Sequence, residues 1–449
     1  MNKVEVAVIG GGPGGTDCAI RIAQRGKKVA IIEKKYFGGT CTNWGCIPTK
    51  AMMTSAHLYG NIIGKGKRLG IKAQAEVDVK SLMKHVKRSI MSSRKGTEFL
   101  LNKYGVEIIK DEAVIKDGKF YLKNDDSEIL ADKIVLATGS APNIPGSLNT
   151  EGVWTSDDVF EIEDIPESLL IVGAGVIGAE MATIFSLLGT KVTLVEFMNR
   201  VVPFEDIEVS QLLEKEMKKK KIKVITGTSV KDIKKVENGF VSSLSNDESI
   251  ESNKVLIAIG RKPVYPEGLE EIVKVERGVH TDFDFVTSNE NIFAIGDVRA
   301  KVMLAHVASA EGVYVAEKLN GNDAPYFREN WPGVIFSDPE ISSTGIKETE
   351  DGLPDNLIKF VFPMAANGRA NTMAERDGFA KIIAEKDTMV IKGASFVGPN
   401  VTDILMEMVV AINEGLTVGE VLKSIHPHPT ISEIVKDTLE GLEGTPSHI

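Results

Sequence analysis

Two cysteines, Cys41 and Cys46, have the residue type and spacing needed for redox chemistry. Four residues separate them in the segment 38–50, which reads GGTCTNWGCIPTK. The spacing is longer than a thioredoxin-type C-x-x-C, and no Cys/His cluster with the spacing of a zinc site accompanies the pair. If a helix starts here, the two sulfurs can still come together, and the helix N-terminus would stabilise a thiolate. The pattern therefore predicts a catalytic dithiol and no metal site.

The elements before this pair predict a nucleotide site beside it. In chain order they are the apolar strand Val4–Ile9, the glycines Gly10, Gly12 and Gly15, a helix over 16–25, the strand Val29–Ile32 and the acidic residue Glu33. This order is the dinucleotide-binding fingerprint G-x-G-x-x-G. Its glycines allow a tight turn, close approach of a pyrophosphate and close packing of the helix on the strand. The free N–H groups at the helix N-terminus then bind the phosphates.

The fingerprint occurs a second time in the chain. Gly173, Gly175 and Gly178 follow another apolar strand, and Glu196 ends the next one. In both copies the acidic residue lies 23 positions after the first glycine. Two such sites predict a flavin and a nicotinamide, since hydride passes between these cofactors. Glu196 would bond the ribose 2′-OH and repel a 2′-phosphate, which favours NAD over NADP, although the nearby Arg200 leaves NADP open.

Three later apolar strands end in glycine turns, at Thr138-Gly139, Gly260 and Gly296-Asp297. Such turns return the chain to the nucleotide-binding edge of a parallel sheet, which makes Asp297 a candidate for bonding a cofactor hydroxyl. The polar segment 231–251 predicts a hairpin, and the lysine run 218–221 predicts a solvated helix end. From about residue 331, short alternating segments and a helical stretch over 403–413 predict a separate α+β domain.

Composition excludes several classes of function. The chain has 449 residues, enough for about three domains, and a net charge of −10. So acidic a protein is a poor candidate for binding nucleic acid or an anionic membrane. No apolar run approaches the roughly 18 residues of a membrane span, and three cysteines do not form a secreted disulfide framework. We expect a cytoplasmic protein, with Cys18 as a small buried residue.

The motifs together resemble the class-I pyridine nucleotide-disulfide oxidoreductases over essentially the whole chain. Within this family the sequence is most similar to the dihydrolipoyl (dihydrolipoamide) dehydrogenases, the E3 components of 2-oxoacid dehydrogenase and glycine cleavage systems. The resemblance rests on GGGPGG (10–15), GGTCTNWGCIPTK (38–50), ATGS (137–140), GAGVIGAE (173–180), AIGDV (294–298), MLAH (303–306) and HPHPTISE (426–433).

The resemblance implies a role for each catalytic residue. Cys41 would exchange with the substrate disulfide, and Cys46 would lie against the flavin as a charge-transfer thiolate. Lys50 would lie near the flavin N5 and pair with Glu180. His428, oriented by Glu433, would deprotonate the substrate thiol, a task that suits a neutral imidazole near pH 7. His426 is the rival base, and His428 is preferred because the residues around it match the family pattern.

The resemblance also implies the cofactors, FAD and NAD, and the residues that hold them. FAD would contact Gly10, Gly12, Gly15, Glu33, Thr40, Lys50, Ala113, Thr138, Gly139, Ser140, Asp297, Met303, Leu304, Ala305 and His306. NAD would contact Gly173, Gly175, Gly178, Glu180, Glu196, Val230 and Gly260. The implied partners are a second copy, which lends its base to each active site, and a lipoyl-bearing protein (E2 or the glycine cleavage H protein).

The implied fold is α/β, with two Rossmann-like dinucleotide-binding domains and a C-terminal α+β dimerisation domain. We expect an FAD-binding domain over 1–145, an NAD-binding domain over 146–261, a central segment over 262–328 that completes the FAD site, and an interface domain over 329–449. Thr42, Trp44 and Thr49 depart from the usual family residues, Leu, Val and Ser. These departures alter the surroundings of the disulfide and leave both thiols in place.

Two other functions compete with this one. A glutathione-type disulfide reductase favours NADPH and carries basic residues where this chain has Glu196. Mercuric reductases and large thioredoxin reductases add a C-terminal cysteine pair, which the tail GLEGTPSHI lacks. A flavin-bearing docking subunit without activity is the alternative from another class. The intact set Cys41, Cys46, Lys50, His428 and Glu433 opposes it.

Overall fold

The computed structural model describes residues 3–323 and 330–448. Its helices are α1 (Pro13–Gln24), α2 (Gly39–Trp44), α3 (Cys46–Gly60), α4 (Val79–Lys103), α5 (Val176–Leu187), α6 (Ile207–Lys219), α7 (Ala305–Leu319), α8 (Gly368–Thr372), α9 (Val401–Ile404), α10 (Met406–Asn413), α11 (Val418–Val421) and α12 (Glu433–Leu442). Its strands are β1 (Val4–Ile9), β2 (Val29–Ile32), β3 (Glu107–Ile109), β4 (Ala113–Lys116), β5 (Lys119–Leu122), β6 (Ala131–Leu136), β7 (Ser140–Pro142), β8 (Ser168–Val172), β9 (Lys191–Val195), β10 (Lys223–Ile225), β11 (Val230–Val236), β12 (Gly239–Leu244), β13 (Ser249–Ser252), β14 (Lys254–Ile257), β15 (Arg261–Pro263), β16 (Ile292–Ala294), β17 (Gly333–Ile335), β18 (Glu340–Gly345), β19 (Leu357–Pro363), β20 (Phe379–Glu385) and β21 (Ile391–Gly398).

The first nucleotide-binding unit is a parallel sheet in the order β16-β6-β1-β2-β3, with α1 connecting β1 to β2. Strand β1 is central because both of its faces are apolar and five of its six residues are buried. Helix α1 begins at Pro13, three residues before the predicted start, because proline and glycine are tolerated in the first turn of a helix. Strand β16 comes from a segment far along the chain and closes the sheet at one edge.

The second nucleotide-binding unit repeats this plan with four parallel strands in the order β10-β9-β8-β14. Helix α5 connects β8 to β9 and is buried along most of its length. The predicted hairpin over 231–251 is instead a three-stranded antiparallel sheet, β11-β12-β13, because the segment after the second turn also pairs with β12. Helix α6 ends at Lys219, within the lysine run.

The C-terminal unit is an antiparallel sheet in the order β17-β18-β21-β20-β19, and α10 and α12 pack on it. Its own apolar core includes Phe362, Phe396, Met408 and Leu439. The predicted helical stretch over 403–413 is divided between α9 and α10, and β18 was not predicted. The predicted boundary between residues 328 and 329 lies outside the described residues. The α/β fold class, with two Rossmann-like units and an α+β unit, is confirmed.

Close helix packing holds α7 on the first unit, and a buried ion pair joins the second unit to the C-terminal one. Helices α1 and α7 pack so closely that a Cβ on Gly312 would lie 2.3 Å from the carbonyl oxygen of Gly14. The ammonium of Lys381, on β20, is fully buried and lies 2.8 Å from an Asp206 oxygen at the start of α6. It also lies 2.8 Å from Glu208 and 2.7 Å from Glu348. These three carboxylates are close enough together to bind a metal ion, but the lysine already bonds to all of them.

Within the described ranges, none of the helices has the length and apolar character required to cross a membrane.

Candidate active site

The predicted cysteine pair lies at a junction of two helices. Cys41 is in α2, and Cys46 is the first residue of α3. Only Gly45 separates the helices, with φ −133° and ψ −111°. A Cβ on Gly45 would lie 3.0 Å from the carbonyl oxygen of Thr40 and 3.3 Å from the Cα of Cys41. The glycine therefore allows the chain to turn back and bring the second sulfur onto the first.

The two thiols have different proton affinities. The Cys41 thiol donates a hydrogen bond to the Cys46 sulfur, and this bond lowers the pKa of Cys46 to about 7 against the effect of burial. The positive charge of Lys50 lowers it further, while Glu180 opposes the shift. The same hydrogen bond and burial raise the pKa of Cys41 far above its ordinary value. When the pair is reduced, the first proton is lost from Cys46, so this sulfur is the thiolate near neutral pH.

The predicted pair Lys50 and Glu180 is present. The ammonium lies 2.8 and 2.9 Å from the two carboxylate oxygens, and the Glu180 side chain is almost fully buried. Phe336, which sequence reasoning missed, contacts both residues. Its backbone N–H donates to Glu180 at 3.0 Å, and its ring centroid lies 4.6 Å from the Lys50 ammonium. Phe336 follows β17 in the C-terminal unit, so all three units of the chain contribute to this contact.

The first fingerprint has the geometry of a phosphate-binding turn. Gly10 adopts φ +111°, and a Cβ on Gly15 would lie 2.0 Å from the carbonyl oxygen of Gly10. Glu33 accepts hydrogen bonds from the N–H groups of Gly11 and Lys35, both at 2.7 Å. Helix α2, which carries Cys41, begins against this turn, because a Cβ on Gly39 would lie 2.7 Å from the Cα of Gly12. The sulfur pair is therefore joined directly to the first nucleotide site.

A polar cluster extends this site. Ser140 donates a hydrogen bond to Asp297, and burial raises the pKa of that carboxyl group despite the bond from Ser140 and the charge of Arg261. Arg261 donates to the Ser140 hydroxyl at 2.8 Å and to the Thr40 hydroxyl at 3.2 Å. Arg261 was not predicted, because the glycine turn at Gly260 indicates a backbone conformation and not which neighbouring side chain enters the site. Its position directly after that turn was the available signal.

The other residues predicted to hold FAD lie around the same sheet edge. Thr138 donates to the carbonyl oxygen of Val264, and a Cβ on Gly139 would meet no atom within 4 Å. Ala113 begins β4, next to Glu112, whose carboxylate lies 2.9 Å from the Lys34 ammonium. The predicted residues at the N-terminus of α7 are Met303, Leu304, Ala305 and His306.

The second fingerprint repeats the first closely. Gly173 adopts φ +100°, and a Cβ on Gly178 would lie 1.9 Å from the carbonyl oxygen of Gly173. Glu196 accepts from the N–H groups of Ala174 at 2.6 Å and Met198 at 2.8 Å. The Glu196 carbonyl oxygen accepts from the Thr228 N–H at 3.0 Å, which places the segment before the predicted residue Val230 beside the site.

The residues of both fingerprints fit a dinucleotide. The middle glycine of each motif faces open space at a helix N-terminus. A Cβ on Gly175 would meet no atom within 4 Å, and one on Gly12 would meet only the Cα of Gly39, at 3.9 Å. Gly260, at the end of the second sheet, is equally open. Free N–H groups, a positive helix end and a carboxylate for a ribose hydroxyl form the donor and acceptor set that a dinucleotide requires.

The guanidinium of Arg200 is partly engaged within the chain, and its Nη1 is buried with no hydrogen-bond partner among the described residues. It donates to the carbonyl oxygen of Pro203 at 2.7 Å and lies 3.8 Å from a Glu350 oxygen in the C-terminal unit. Two of its three nitrogens are therefore engaged, and the preference for NAD rests on the Glu196 carboxylate at the second fingerprint.

The two rival histidines differ in accessibility. His426 has a side chain only 7% exposed and bonds through Nε2 to Glu407 at 3.0 Å, which raises its pKa. His428 is 76% exposed, and its Nδ1 bonds to Glu433 at 2.8 Å, which leaves Nε2 facing outward. Burial raises the pKa of Glu433, but bonds from the Thr430 N–H and His428 outweigh it, and the net shift is downward. Across the described residues, no hydrogen bond or ion pair joins His428 to Cys41 or Cys46.

Comparison with known proteins agrees with this geometry. The family model described as pyridine nucleotide-disulphide oxidoreductase matches residues 4–312, and the model of that family's dimerisation domain matches residues 331–439. The chain belongs to the pyridine nucleotide-disulphide oxidoreductase family. The family's description, a pyridine nucleotide-disulphide oxidoreductase, agrees with the two fingerprints and the thiol pair. The dimerisation-domain match also shows that the C-terminal unit is of the kind that forms homodimers.

Two curated family members cover the chain from end to end. It is 36% identical to dihydrolipoyl dehydrogenase of Geobacillus stearothermophilus, with 100% of this chain and 98% of that protein aligned. It is 37% identical to dihydrolipoyl dehydrogenase of Corynebacterium glutamicum, with 98% of each aligned.

Two solved structures have the same fold as this chain. LpdA from Mycobacterium tuberculosis superimposes with a TM-score of 0.90 at 24% identity, over 98% of this chain and 100% of that one. The Cu(II) complex of the HOCl-induced flavoprotein disulfide reductase RclA from Escherichia coli gives a TM-score of 0.88 at 26% identity, over 98% of this chain and 99% of that one.

Proposed function

We propose that this protein oxidises the dihydrolipoyl group of a carrier protein to the lipoyl disulfide and passes two electrons to NAD+, as a dihydrolipoyl dehydrogenase. The observation that carries the choice of substrate is the end-to-end similarity to proteins of that name at 36% and 37% identity. The net reaction converts a dithiol and NAD+ into a disulfide, NADH and a proton.

The thiol pair carries out the exchange with the substrate. With Cys41 and Cys46 oxidised to a disulfide, a substrate thiolate attacks the Cys41 sulfur, and Cys46 leaves as a thiolate. The second substrate thiol loses its proton and attacks the mixed disulfide, so the substrate leaves oxidised and Cys41 recovers its proton. The low pKa of Cys46 and the high pKa of Cys41 support this division, because the better leaving group is the sulfur with the lower pKa.

His428 is the proposed base for the substrate thiols, with Glu433 orienting its ring. Its exposed Nε2 and its lack of contact with the sulfurs in its own chain support a site completed by a second copy, in which the histidine of one protomer serves the thiols of its partner. His426 is a weaker candidate because Glu407 occupies its Nε2.

The first nucleotide unit would hold FAD, and the second would hold NAD. Bound FAD would take up the electron pair from the reduced cysteines and deliver it to NAD+ as a hydride equivalent. The close contact between α2 and the first fingerprint supports placing FAD there, next to the cysteine pair. Glu196 supports NAD over NADP because its carboxylate occupies the ribose side of the second site. We also propose the domain boundaries given above, at residues 145, 261 and 328. The proposed location is the cytoplasm.

The test is an assay of dihydrolipoamide oxidation with NAD+ and, in parallel, with NADP+. We expect a fast rate that strongly favours NAD+. Reduction of the flavin by NADH or NADPH without any rate on dihydrolipoamide would overturn the proposed substrate. It would indicate a reductase for a different disulfide, such as a glutathione-type one.

A further inference from the structure

Helix α4 carries a strongly basic face on an acidic protein. It contains seven Lys or Arg residues and one Glu, whereas the whole chain has a net charge of −10. Lys84, Arg88, Met91, Lys95 and Phe99 are spaced three or four residues apart and are all exposed, so they share one side of the helix. We call these five residues the α4 stripe.

The charges of the α4 stripe have no structural role within the chain. Among the residues that the structure describes, no carboxylate lies within 4.0 Å of Lys84, Arg88 or Lys95. Met91 is 53% exposed and Phe99 is 65% exposed. A face with free cations and apolar side chains has the composition of a protein-docking surface.

The helix lies beside the thiol pair. The guanidinium of Arg94 stacks on the Tyr36 ring at 3.6 Å and bonds to the side chain of Asn43, two residues from Cys41. Helix α4 also packs along α3, which begins at Cys46. Arg88 and Lys84 lie about 9 and 15 Å from Arg94 along the helix axis. A domain docked on the stripe would therefore lie to one side of the thiols, where a dithiol on a lysyl arm can reach them.

We propose that the α4 stripe docks an acidic face of the carrier protein that brings the dithiol. This inference rests on the proposed function, because a free small-molecule dithiol needs no docking surface. Charge complementarity of this kind acts mainly on the association rate and is weakened by salt. The stripe is thus specific for the protein-bound substrate and has no part in the thiol exchange itself.

The experiment compares free dihydrolipoamide with a reduced, lipoylated carrier domain of net negative charge, using the intact FAD-loaded protein. The variant Lys84→Glu/Arg88→Glu reverses two stripe charges. The matched control, Lys234→Glu/Lys235→Glu, makes the same change in net charge on β11, where these two side chains are 76% and 52% exposed. For the stripe variant we expect kcat/KM for the carrier to fall about tenfold at low ionic strength and by less at high salt. We expect the stripe variant to oxidise free dihydrolipoamide at a rate within about twofold of that of the unaltered protein. The control variant should match the unaltered protein on both substrates.

Three outcomes would overturn the inference. An unchanged kcat/KM for the carrier in the stripe variant would show that the face does not dock it. An equal loss with free dihydrolipoamide would show that the stripe acts on the chemistry or on folding. A change of oligomeric state in size-exclusion chromatography would show that a second copy covers the face. If the unaltered protein oxidises neither substrate, the proposed function itself fails, which is distinct from a loss confined to the variant.

Discussion

The two nucleotide-binding units share a backbone turn and differ in the segment that comes after it. Gly10 and Gly173 both adopt a positive φ, and the third glycine of each motif packs on the carbonyl oxygen of the first. Glu33 and Glu196 each accept one N–H from the turn and one from the residue two positions further on. These shared contacts hold the backbone for a dinucleotide and do not distinguish the two sites.

The difference begins after the acidic residue. In the first unit the chain continues into α2 and α3, which carry Cys41, Cys46 and Lys50. In the second unit it continues through a loop into α6, whose N-cap residue, Asp206, is bound by Lys381 of the C-terminal unit. The segment after the first acidic residue carries the redox-active side chains, and the segment after the second one joins the unit to the C-terminal unit. The redox-active residues therefore come directly after the repeated turn of the first unit.

The largest effect on activity is expected from removing the Cys46 thiolate, which follows the first fingerprint. Cys46→Ser should abolish dihydrolipoamide oxidation and the long-wavelength charge-transfer absorbance of the two-electron-reduced protein, while FAD stays bound because the fingerprint is untouched. Cys41→Ser is the matched variant and should keep the absorbance. Anaerobic reduction followed by spectroscopy checks both. If the band persists in Cys46→Ser, the inner and outer roles of the two thiols are reversed.

The next largest effect on activity is expected from a residue of the C-terminal unit. His428→Ala should lower the rate of dihydrolipoamide oxidation by about 10²–10⁴-fold, the usual contribution of a general base. Bound FAD should be unaffected, because His428 contacts neither fingerprint. Steady-state kinetics and the flavin content of the purified protein test this. A nearly normal rate would transfer the role to His426 or to solvent.

Replacing the acidic residue of each fingerprint by glutamine tests the role of the repeated turn in nucleotide binding. Glu33→Gln and Glu196→Gln each replace one acceptor oxygen with an amide group, so one backbone N–H loses a charged partner, at a cost of about 1.5–3 kcal/mol. This corresponds to roughly tenfold or more in affinity. We expect Glu33→Gln to release FAD more readily and Glu196→Gln to raise the KM for NAD+. Flavin release and NAD+ kinetics on both variants provide the check. Equal effects on both nucleotides would contradict the assignment of one site to each.

The smallest effect concerns the contact where the three units meet. In the reduced protein, the Cys46 thiolate should form as the pH rises through about 7 and be lost below it. Phe336→Leu keeps the N–H bond to Glu180 but removes the ring that holds the Lys50 ammonium. The titration midpoint should then rise by about a few tenths of a pH unit, because an exposed cation–π contact is worth about 0.5–1 kcal/mol. Charge-transfer absorbance measured against pH checks this, and a lowered midpoint would refute it.

Local patterns predicted the parts of the site that are local. Both fingerprints, the residues Glu33 and Glu196 and their strands follow from glycine spacing and apolar runs, which act within about 25 residues of one another. Phe336 and Arg261 could not be found in this way. Each enters the site from a different unit, through tertiary packing that no short sequence pattern encodes. The junction at Gly45 was missed because a single glycine does not show that one helix ends and another begins there.

Strand β16 and helix α7 have a consequence for the synthesis of the molecule on the ribosome. Both belong to the first nucleotide unit, yet they are made after the whole of the second one, whose parallel strands lie within residues 168–257. Until residue 294 has been translated, β6 lacks its outer neighbour, and until residue 319 has been translated, α1 lacks the complete helix that covers it at Gly14. Domains generally fold as units, in the order of their synthesis. Here the unit that begins the sequence is completed later than the unit inserted within it, so the first nucleotide site can be assembled only after the second has had time to fold.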